Sequence, residues 1–189
     1  METWEGLRNY PIQAEFNRRY HPEGYDFKNG FNRYVESIPP YGGKNLRQVV
    51  ETLLRDRRNI SVLDLGCGAG NALLDMRLKY FGNVHGHGIT ASEFRSPLMK
   101  VLQDLLGINI IVGDAHEMES KFNKESFDLI FSFFGLEYMD PEVVLPQAVD
   151  LLSSGGVAML TGTSFLNAHL KPRLVNIESN HNSISFTKK

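Results

Sequence analysis

The sequence predicts an α/β protein with a Rossmann-like, doubly wound and mostly parallel sheet that carries helices on both faces. Two observations indicate this class. Short apolar runs alternate with segments whose apolar residues recur at helical spacing, an order typical of βαβ units. A glycine-rich turn follows the first apolar run and leads into a helix, which is where sheets of this type bind nucleotides.

The predicted elements follow one another closely between residues 45 and 161. In chain order they are helix 45–57, strand 60–65, helix 71–80, strand 83–89, helix 96–106, strand 108–112, strand 127–133, helix 141–152 and strand 157–161. One side of helix 96–106 consists of Leu98, Val101, Leu102, Leu105 and Leu106. The sequence Ser-Ser-Gly-Gly at 153–156 is expected to end the last helix before the fifth strand begins.

The two ends of the chain differ from this regular region. Residues 1–44 form an aromatic-rich extension, with Trp4, Tyr10, Phe16, Tyr20, Tyr25, Phe27, Phe31, Tyr34 and Tyr41. We expect it to pack on the main domain, residues 45–189, or to cap its pocket, because aromatic rings are large apolar surfaces. Segments 174–178 and 183–187 alternate in polarity about a polar link, which predicts an antiparallel hairpin. Few residues follow the fifth strand, so we expect a shortened C-terminus with the preceding helix reduced to 165–170.

Composition favours a cytoplasmic protein. The net charge is −2 and the pI is near 6.3, which makes nucleic acid an unlikely partner. The N-terminus lacks the charged and apolar regions of a signal peptide, and no apolar run is long enough to span a membrane. Cys67 is the only cysteine, so no internal disulfide forms. Nothing in the sequence sets the oligomeric state.

The glycine-rich turn carries most of the functional information. Residues 62–71 read VLDLGCGAGN, with Asp64 two residues before the first glycine. A carboxylate at that place disfavours a bound pyrophosphate but suits a ligand that carries an ammonium group. The segment resembles motif I of the class I S-adenosylmethionine-dependent methyltransferases, whose cofactor has an ammonium group and no phosphate.

Three later segments extend the resemblance. Residues 111–115, IVGDA, resemble the third-strand motif, in which the acid, here Asp114, accepts from the adenine amino group. Residues 126–133, SFDLIFSF, resemble the fourth strand, whose end lies beside the methionine portion and the substrate. Residues 151–157, LLSSGGV, resemble the turn into strand five. The resemblance implies these cofactor-binding residues: Asp64, Leu65, Gly66, Cys67, Gly68, Gly70, Ile89, Thr90, Asp114, Ala115, Ser132 and Phe133.

The second strand departs from the family pattern. Its end normally carries an Asp or Glu that holds both ribose hydroxyls, and Gly88 stands at that position. Either Thr90, Glu93 or a water substitutes, or the cofactor binds weakly, since removing one charged hydrogen bond costs about 1.5–3 kcal/mol. His85 and His87 face the same side of this strand, but no third ligand accompanies them, so no metal site is predicted.

The predicted function is in-line methyl transfer from S-adenosylmethionine to a small-molecule acceptor. The segment after strand four resembles the small-molecule branch of the family, where a histidine pair often stands at the positions of Glu137 and Tyr138. These two residues and His116 are the candidate bases. Each also has a purely structural alternative: Glu137 as an anion at the start of a helix, Tyr138 as a packing ring and His116 as a loop cap. The alternative function is a catalytically weak or inactive methyltransferase-fold protein that binds a partner. An RNA or protein methyltransferase would instead require an electropositive face beside the pocket.

Overall fold

The structure is a computed structural model that describes residues 41–91, 97–133, 135–161, 170–180 and 183–189. Its helices are α1 (Leu46–Arg57), α2 (Asn71–Lys79), α3 (Pro97–Leu106) and α4 (Pro141–Leu151), with short 3₁₀ helices at Ala115–Ser120, Leu136–Tyr138 and Lys171–Arg173. Its strands are β1 (Ile60–Leu65), β2 (Val84–Thr90), β3 (Asn109–Val112), β4 (Phe127–Ser132), β5 (Leu152–Thr161), β6 (Leu174–Asn180) and β7 (Ser183–Lys188).

One mixed sheet joins all of these strands. Their spatial order is β3-β2-β1-β4-β5-β7-β6. Strands β1 to β5 are parallel, β7 runs antiparallel to β5, and β6 pairs antiparallel with β7 from Leu174↔Lys188 to Asn180↔Ser183. The strand order reverses between β1 and β4, which places the ligand crevice of a doubly wound sheet at their carboxyl ends. The predicted fold class and the C-terminal hairpin are confirmed.

Two buried cores lie on opposite faces of the sheet. Successive strand residues point to opposite faces, so Val62 packs with α1 and α2 while its neighbour Leu63 packs with α4. The same alternation continues in β4, where Phe131 joins the first core and Ile130 the second. Helices therefore cover both faces, as the nearly continuous apolar runs of the strands predict.

Helix α3 buries only part of its apolar side, from which Leu106 packs against the core. Val101 is 53% exposed and Leu105 is 75% exposed, whereas Gln103 is only 8% exposed. The helix lies at the edge of the sheet beside α2, so only a narrow strip of its surface reaches the core. The Gln103 amide donates to the Ala69 carbonyl (2.9 Å), which satisfies its buried polar group.

Helix α4 ends at Leu151, before residues 153–156 as expected, but strand β5 begins at Leu152 rather than at Val157, so these residues form its irregular first part. The Arg57 guanidinium holds this segment, donating to Ser153 Oγ (2.8 Å), to the Ser154 carbonyl (2.7 Å) and to the Asp128 carboxylate. Asp128 also accepts from the Ser61 amide (2.9 Å). This cluster ties the amino ends of β1, β4 and β5 together, and the β4–β5 register shifts there between Phe127 and Leu129.

The N-terminal extension is described only from Tyr41 onward. The Tyr41 ring packs against the core under α1 and α2, and its hydroxyl is hydrogen-bonded to Thr187 of β7. Residues 1–40 lie outside the described part of the chain, and so do residues 165–169 of the expected C-terminal helix. No helix in the described ranges is long and apolar enough to cross a membrane.

Candidate cofactor-binding site

The predicted site residues gather at one edge of the sheet. Parallel strands β1, β2, β3 and β4 all end there, and the crevice at the β1–β4 reversal opens at the same edge. The turn after β1, the loop after β3 and the loop after β4 are therefore neighbours, although more than 60 residues separate Leu65 from Ser132.

The turn after β1 needs its glycines for backbone reasons. Gly66, Gly68 and Gly70 have φ values of 78°, 53° and 74°, a left-handed region that other residues rarely adopt. A Cβ on Gly70 would lie 2.4 Å from Cδ1 of Ile110, and one on Gly66 would lie 2.8 Å from Cα of Gly135. The turn is thus packed tightly against β3 and against the loop after β4, and its glycines cannot be exchanged without strain.

Hydrogen bonds fix this turn on the end of β2. The amides of Gly66 and Cys67 both donate to the Ile89 carbonyl, at 2.9 and 3.1 Å. The Gly70 amide donates to the Cys67 carbonyl (2.8 Å), and the Gln103 amide holds Ala69 from the side. The result is a partly exposed glycine turn in a single, well-supported conformation, from which α2 begins.

Asp64 is a buried carboxyl group directly before the turn. It is 4% exposed, and the part of the chain that the structure describes donates no hydrogen bond to it. Burial raises its pKa from 3.8 to about 8, because an ionised carboxylate without a partner is unfavourable in an apolar interior. A ligand cation placed beside it would reverse this shift, so the group suits a ligand ammonium.

The contact between β2 and the glycine turn leaves no room for a side chain at Gly88. Gly88 is buried and pairs with Asp64 across the sheet. A Cβ on Gly88 would lie 2.5 Å from Cys67 Sγ, so the thiol side chain covers this position. Burial, and secondarily the Asp64 charge, raises the pKa of the Cys67 thiol well above its usual range.

Asp114 and His116 form a connected unit after β3. One oxygen of Asp114, Oδ1, accepts from the His116 amide (2.8 Å) and from His116 Nδ1 (2.6 Å). His116 Nε2 accepts the amide hydrogen of Asp140 (2.9 Å), which places the ring proton on Nδ1. Both ring nitrogens are therefore engaged, and the histidine connects the loop after β3 to the start of α4. Ala115, at 2% exposure, is buried beneath this unit.

The end of β4 contributes polar contacts that close the β1–β4 junction. Ser132 is completely buried and its hydroxyl donates to the Leu65 carbonyl (2.7 Å). The Thr161 hydroxyl in turn donates to the Ser132 carbonyl (3.0 Å). Phe133 is 9% exposed and packs edge-on against Phe131, so it belongs to the core on that face of the sheet.

The remaining base candidates lie on the 3₁₀ helix Leu136–Tyr138. Tyr138 is 48% exposed, whereas the side chain of Glu137 is outside the described part of the structure. Met139 directly follows this helix, and a Cβ added to Gly66 would lie 3.6 Å from its Cε atom. The helix therefore lies beside the glycine turn. Of the three candidates, Tyr138 is the one whose described side chain is exposed at this edge.

The histidines of β2 lie away from any ligand cluster. His85 is exposed, and His87 packs edge-on against Phe122 and Phe127, with ring centroids 6.3 and 5.4 Å apart. Burial, together with the nearby His85, lowers the pKa of His87. Within the described ranges, no three His, Cys, Asp or Glu side chains are grouped to hold a metal ion. Glu93 lies outside those ranges.

Sequence reasoning missed three residues that support the site. Gln103 holds the glycine turn, Thr161 anchors the end of β4, and Gly135 lies where a Cβ would be 2.6 Å from the Leu65 carbonyl oxygen. One signal was visible for Gln103, a polar side chain inside a strongly apolar helix. The others depend on contacts between distant parts of the chain.

The strand order, the reversal point and the glycine turn define a Rossmann-like nucleoside-binding domain. A family model described as a methyltransferase domain matches residues 63–160, slightly more than half of the chain. The chain belongs to the family of class I S-adenosylmethionine-dependent methyltransferases. S-adenosylmethionine is the cofactor of this family. A search of curated protein sequences finds no match.

Solved structures with TM-scores above 0.5 show the same fold at low sequence identity. The PH0226 protein from Pyrococcus horikoshii is 15% identical with a TM-score of 0.53, over 93% of this chain and 99% of that one. TrmN from Thermus thermophilus is 20% identical with a TM-score of 0.52, over 85% of this chain and 53% of that one. A phosphoethanolamine N-methyltransferase from Haemonchus contortus, in complex with S-adenosyl-L-methionine, is 22% identical with a TM-score of 0.48. That match covers 84% of this chain but only 38% of the nematode enzyme.

Proposed function

We propose that this protein transfers the methyl group of S-adenosylmethionine to a small-molecule acceptor. The observation that carries the proposal is Asp64, a buried carboxyl without a hydrogen-bond donor in the described structure, placed directly before a partly exposed glycine turn. This combination fits a ligand that has an ammonium group and lacks phosphates. When bound, S-adenosylmethionine supplies a methyl group on a sulfonium, which is already a good leaving group.

The amino-acid end of the cofactor is assigned to the glycine turn. Asp64 would hold the ammonium, while Gly66 and Gly68 keep side chains away from the ligand's path. Leu65 and Cys67 contribute backbone to the same turn, and Gly70 begins the helix that follows. Because the turn is fixed by the Ile89 carbonyl, little conformational entropy is lost on binding.

The adenosine end is assigned to the ends of β2 and β3. Asp114 would accept from the adenine amino group through Oδ2, since the described contacts to this carboxylate use Oδ1. His116 fixes the orientation of the carboxylate, so the acid is preorganised rather than mobile. Ile89, Thr90 and Ala115 are all buried and would form the wall around the nucleoside.

The acceptor is assigned to the loop after β4. Ser132 and Phe133 are buried where β4 ends, and the half-exposed ring and hydroxyl of Tyr138 beyond them would contact the acceptor. Positioning of the acceptor supplies most of the catalysis in such a transfer, and a base is required only where the nucleophile must lose a proton. Tyr138 and Glu137 stay as base candidates. His116 is better explained as a positioning residue, because both of its ring nitrogens are already engaged.

A weakly binding or inactive member of the fold is the second candidate. The departure at Gly88 favours it, because this position carries no acidic side chain and a Cβ there would meet Cys67 and Leu73. The two functions predict different affinities for the cofactor.

Calorimetric titration with S-adenosylmethionine and S-adenosylhomocysteine tests the proposal. We expect micromolar dissociation constants for the native chain and a loss of at least about tenfold in Asp64→Asn, because one charge-assisted hydrogen bond is removed. Asp56→Asn is the matched control, since the Asp56 side chain is 63% exposed on α1. Absence of binding at millimolar ligand would exclude the enzyme.

The acceptor class is tested by label transfer. The protein is incubated with S-adenosylmethionine labelled in the methyl group and a cell extract, and products are separated by acid precipitation. We expect label in the soluble, small-molecule fraction. Label that appears in precipitated RNA or protein instead would overturn the small-molecule assignment.

A further inference from the structure

The acceptor loop, residues 135–140, begins against the glycine turn. It contains the 3₁₀ helix Leu136–Tyr138, which carries the half-exposed ring assigned to the acceptor. A Cβ on Gly135 would lie 2.6 Å from the Leu65 carbonyl oxygen and 3.1 Å from Cα of Gly66, so the two backbones are in direct contact. The start of the loop is therefore fixed by the turn assigned to the amino-acid end of the cofactor.

The other end of the loop is held by the unit assigned to the adenine. The Asp140 amide donates to His116 Nε2 (2.9 Å), and His116 Nδ1 lies 2.6 Å from Asp114 Oδ1. The Asp140 carboxylate accepts from the Glu142 amide (2.9 Å) and so caps α4. One residue thus joins the acceptor loop, the start of α4 and the histidine.

The backbone of the histidine segment is docked along α4. The Gln147 side chain donates to the His116 carbonyl (2.6 Å) and accepts from the Glu119 amide (3.2 Å). These two contacts hold the 3₁₀ helix Ala115–Ser120 beside α4. The imidazole is therefore kept within reach of the Asp140 amide, and its protonation pattern decides whether the bond forms.

That pattern is set by Asp114. A neutral imidazole has one N–H group and one acceptor nitrogen. An ionised carboxylate can only accept, so it selects the tautomer with the hydrogen on Nδ1 and leaves Nε2 to accept from Asp140. The opposite tautomer would set two donors against each other. A ligand amino group that donates to Asp114 Oδ2 favours the ionised carboxylate and hence the tautomer that binds the loop.

We propose that His116 is a positioning residue that couples the two halves of the site: adenine bound at Asp114 strengthens the bond from Asp140 to His116 and so orders the acceptor loop before the acceptor binds. The inference rests on the proposed function, because Asp114 is the group assigned there to the adenine. A ligand shifts a conformational equilibrium only by binding one state better than the other, and here the two states are the two tautomers.

Hydrogen exchange followed by NMR on the isotopically labelled full chain tests this coupling, with and without saturating S-adenosylhomocysteine. The amides of Tyr138, Met139 and Asp140 are all hydrogen-bonded, at 3.2, 3.1 and 2.9 Å, so their exchange reports opening of the loop. We expect it to slow at least about fivefold more than exchange of the Asn83 amide, which donates to Tyr80 at the opposite edge (3.0 Å). That control amide corrects for general stabilisation by the ligand. Equal slowing at both places would overturn the inference.

Two variants each keep one bond of the histidine. The side chain in His116→Asn can donate to Asp114 but is too short to reach Asp140; the side chain in His116→Gln can accept from Asp140 but has no donor at the Nδ1 position. Both should lose the ligand-dependent slowing at saturating ligand, whereas a purely structural histidine would alter exchange equally with and without ligand. Ser120→Ala is the matched control, since that hydroxyl donates only locally, to the Glu117 carbonyl (2.8 Å), and should respond like the native chain. Native-sized slowing in either histidine variant would overturn the inference.

Failure of the proposed function gives a different result. A native chain that binds no S-adenosylhomocysteine at millimolar concentration would refute that function, and exchange without ligand would then decide the coupling. In Asp114→Asn a neutral amide no longer selects the Nδ1 tautomer, so the Asp140 amide should exchange at least about fivefold faster than in the native chain. Equal exchange in the two proteins would overturn the link between the carboxylate and the loop.

Discussion

Replacing Asp64 by Asn should stabilise the unliganded protein near neutral pH while it weakens cofactor binding. Burial raises the pKa of Asp64 from 3.8 to about 8, so the folded protein binds a proton that the unfolded chain releases. Stability must therefore fall as the pH rises from about 4 to about 8. One pKa unit corresponds to about 1.36 kcal/mol, so retaining this proton costs about 4 kcal/mol at pH 7. The amide introduced by Asp64→Asn has nearly the same shape as the carboxyl group and does not titrate.

The assay is urea unfolding of the native chain, Asp64→Asn and the exposed control Asp56→Asn at pH 5 and pH 8. Between these two values the native chain should lose about 4 kcal/mol relative to Asp64→Asn, and Asp56→Asn should follow the native chain. Parallel pH profiles for the native chain and Asp64→Asn would refute the reasoning, because they would show that Asp64 does not retain a proton on folding.

The same group makes cofactor binding release a proton. At pH 7 the Asp64 carboxyl is largely protonated, and a ligand ammonium beside it favours the ionised form. Titrations in buffers of different ionisation enthalpy should report close to one proton released per ligand bound. Asp64→Asn should release none from this source.

Three further changes probe the two edges of the sheet. Arg57→Ala should cost about 1–3 kcal/mol of unfolding free energy and leave the ligand dissociation constant unchanged, whereas Arg55→Ala, whose side chain is 73% exposed, should cost less than about 0.5 kcal/mol. His116→Ala should weaken S-adenosylmethionine binding several-fold in calorimetry, because it frees the Asp114 carboxylate and the start of α4. Gly70→Ala should lower the melting temperature more than Gly43→Ala; both glycines have φ near 70°, but only Gly70 has a neighbour in the way of a Cβ.

Each of these three predictions can be contradicted by a specific result. A change in ligand affinity in Arg57→Ala would mean that the two edges are not independent. Unaltered affinity in His116→Ala would remove its positioning role. Equal effects of the two glycine substitutions would mean that backbone conformation, and not the contact with Ile110, sets the cost at position 70.

The fold was predictable because its signals are local. Apolar runs marked the strands, helical spacing marked the helices, and a glycine turn after β1 located the crevice, all within short windows of sequence. The doubly wound, mostly parallel sheet then followed from the rules for βαβ units and was confirmed. The antiparallel hairpin β6–β7 was visible in the same way, from two alternating segments and a polar link.

The parts that escaped prediction depend on distant contacts. The start of β5 is held by Arg57, almost a hundred residues earlier, which donates to Ser153 and Ser154. Gln103 became a buried support of the turn because Ala69 presents a carbonyl to it. The missing acid at Gly88 was readable as a departure, but its cause, the Cys67 side chain in the same space, appears only once β1 and β2 are placed in register.

The Arg57 cluster has a consequence for engineering this protein. It ties the amino ends of β1, β4 and β5, while every assigned ligand contact lies at their carboxyl ends, about 15–20 Å away for strands of this length. Stability and recognition therefore draw on separate groups of side chains. One library could randomise the Arg57 cluster to raise thermal stability, and a second could randomise the crevice to accept new substrates. Variants selected from the two libraries could then be combined with little effect on each other.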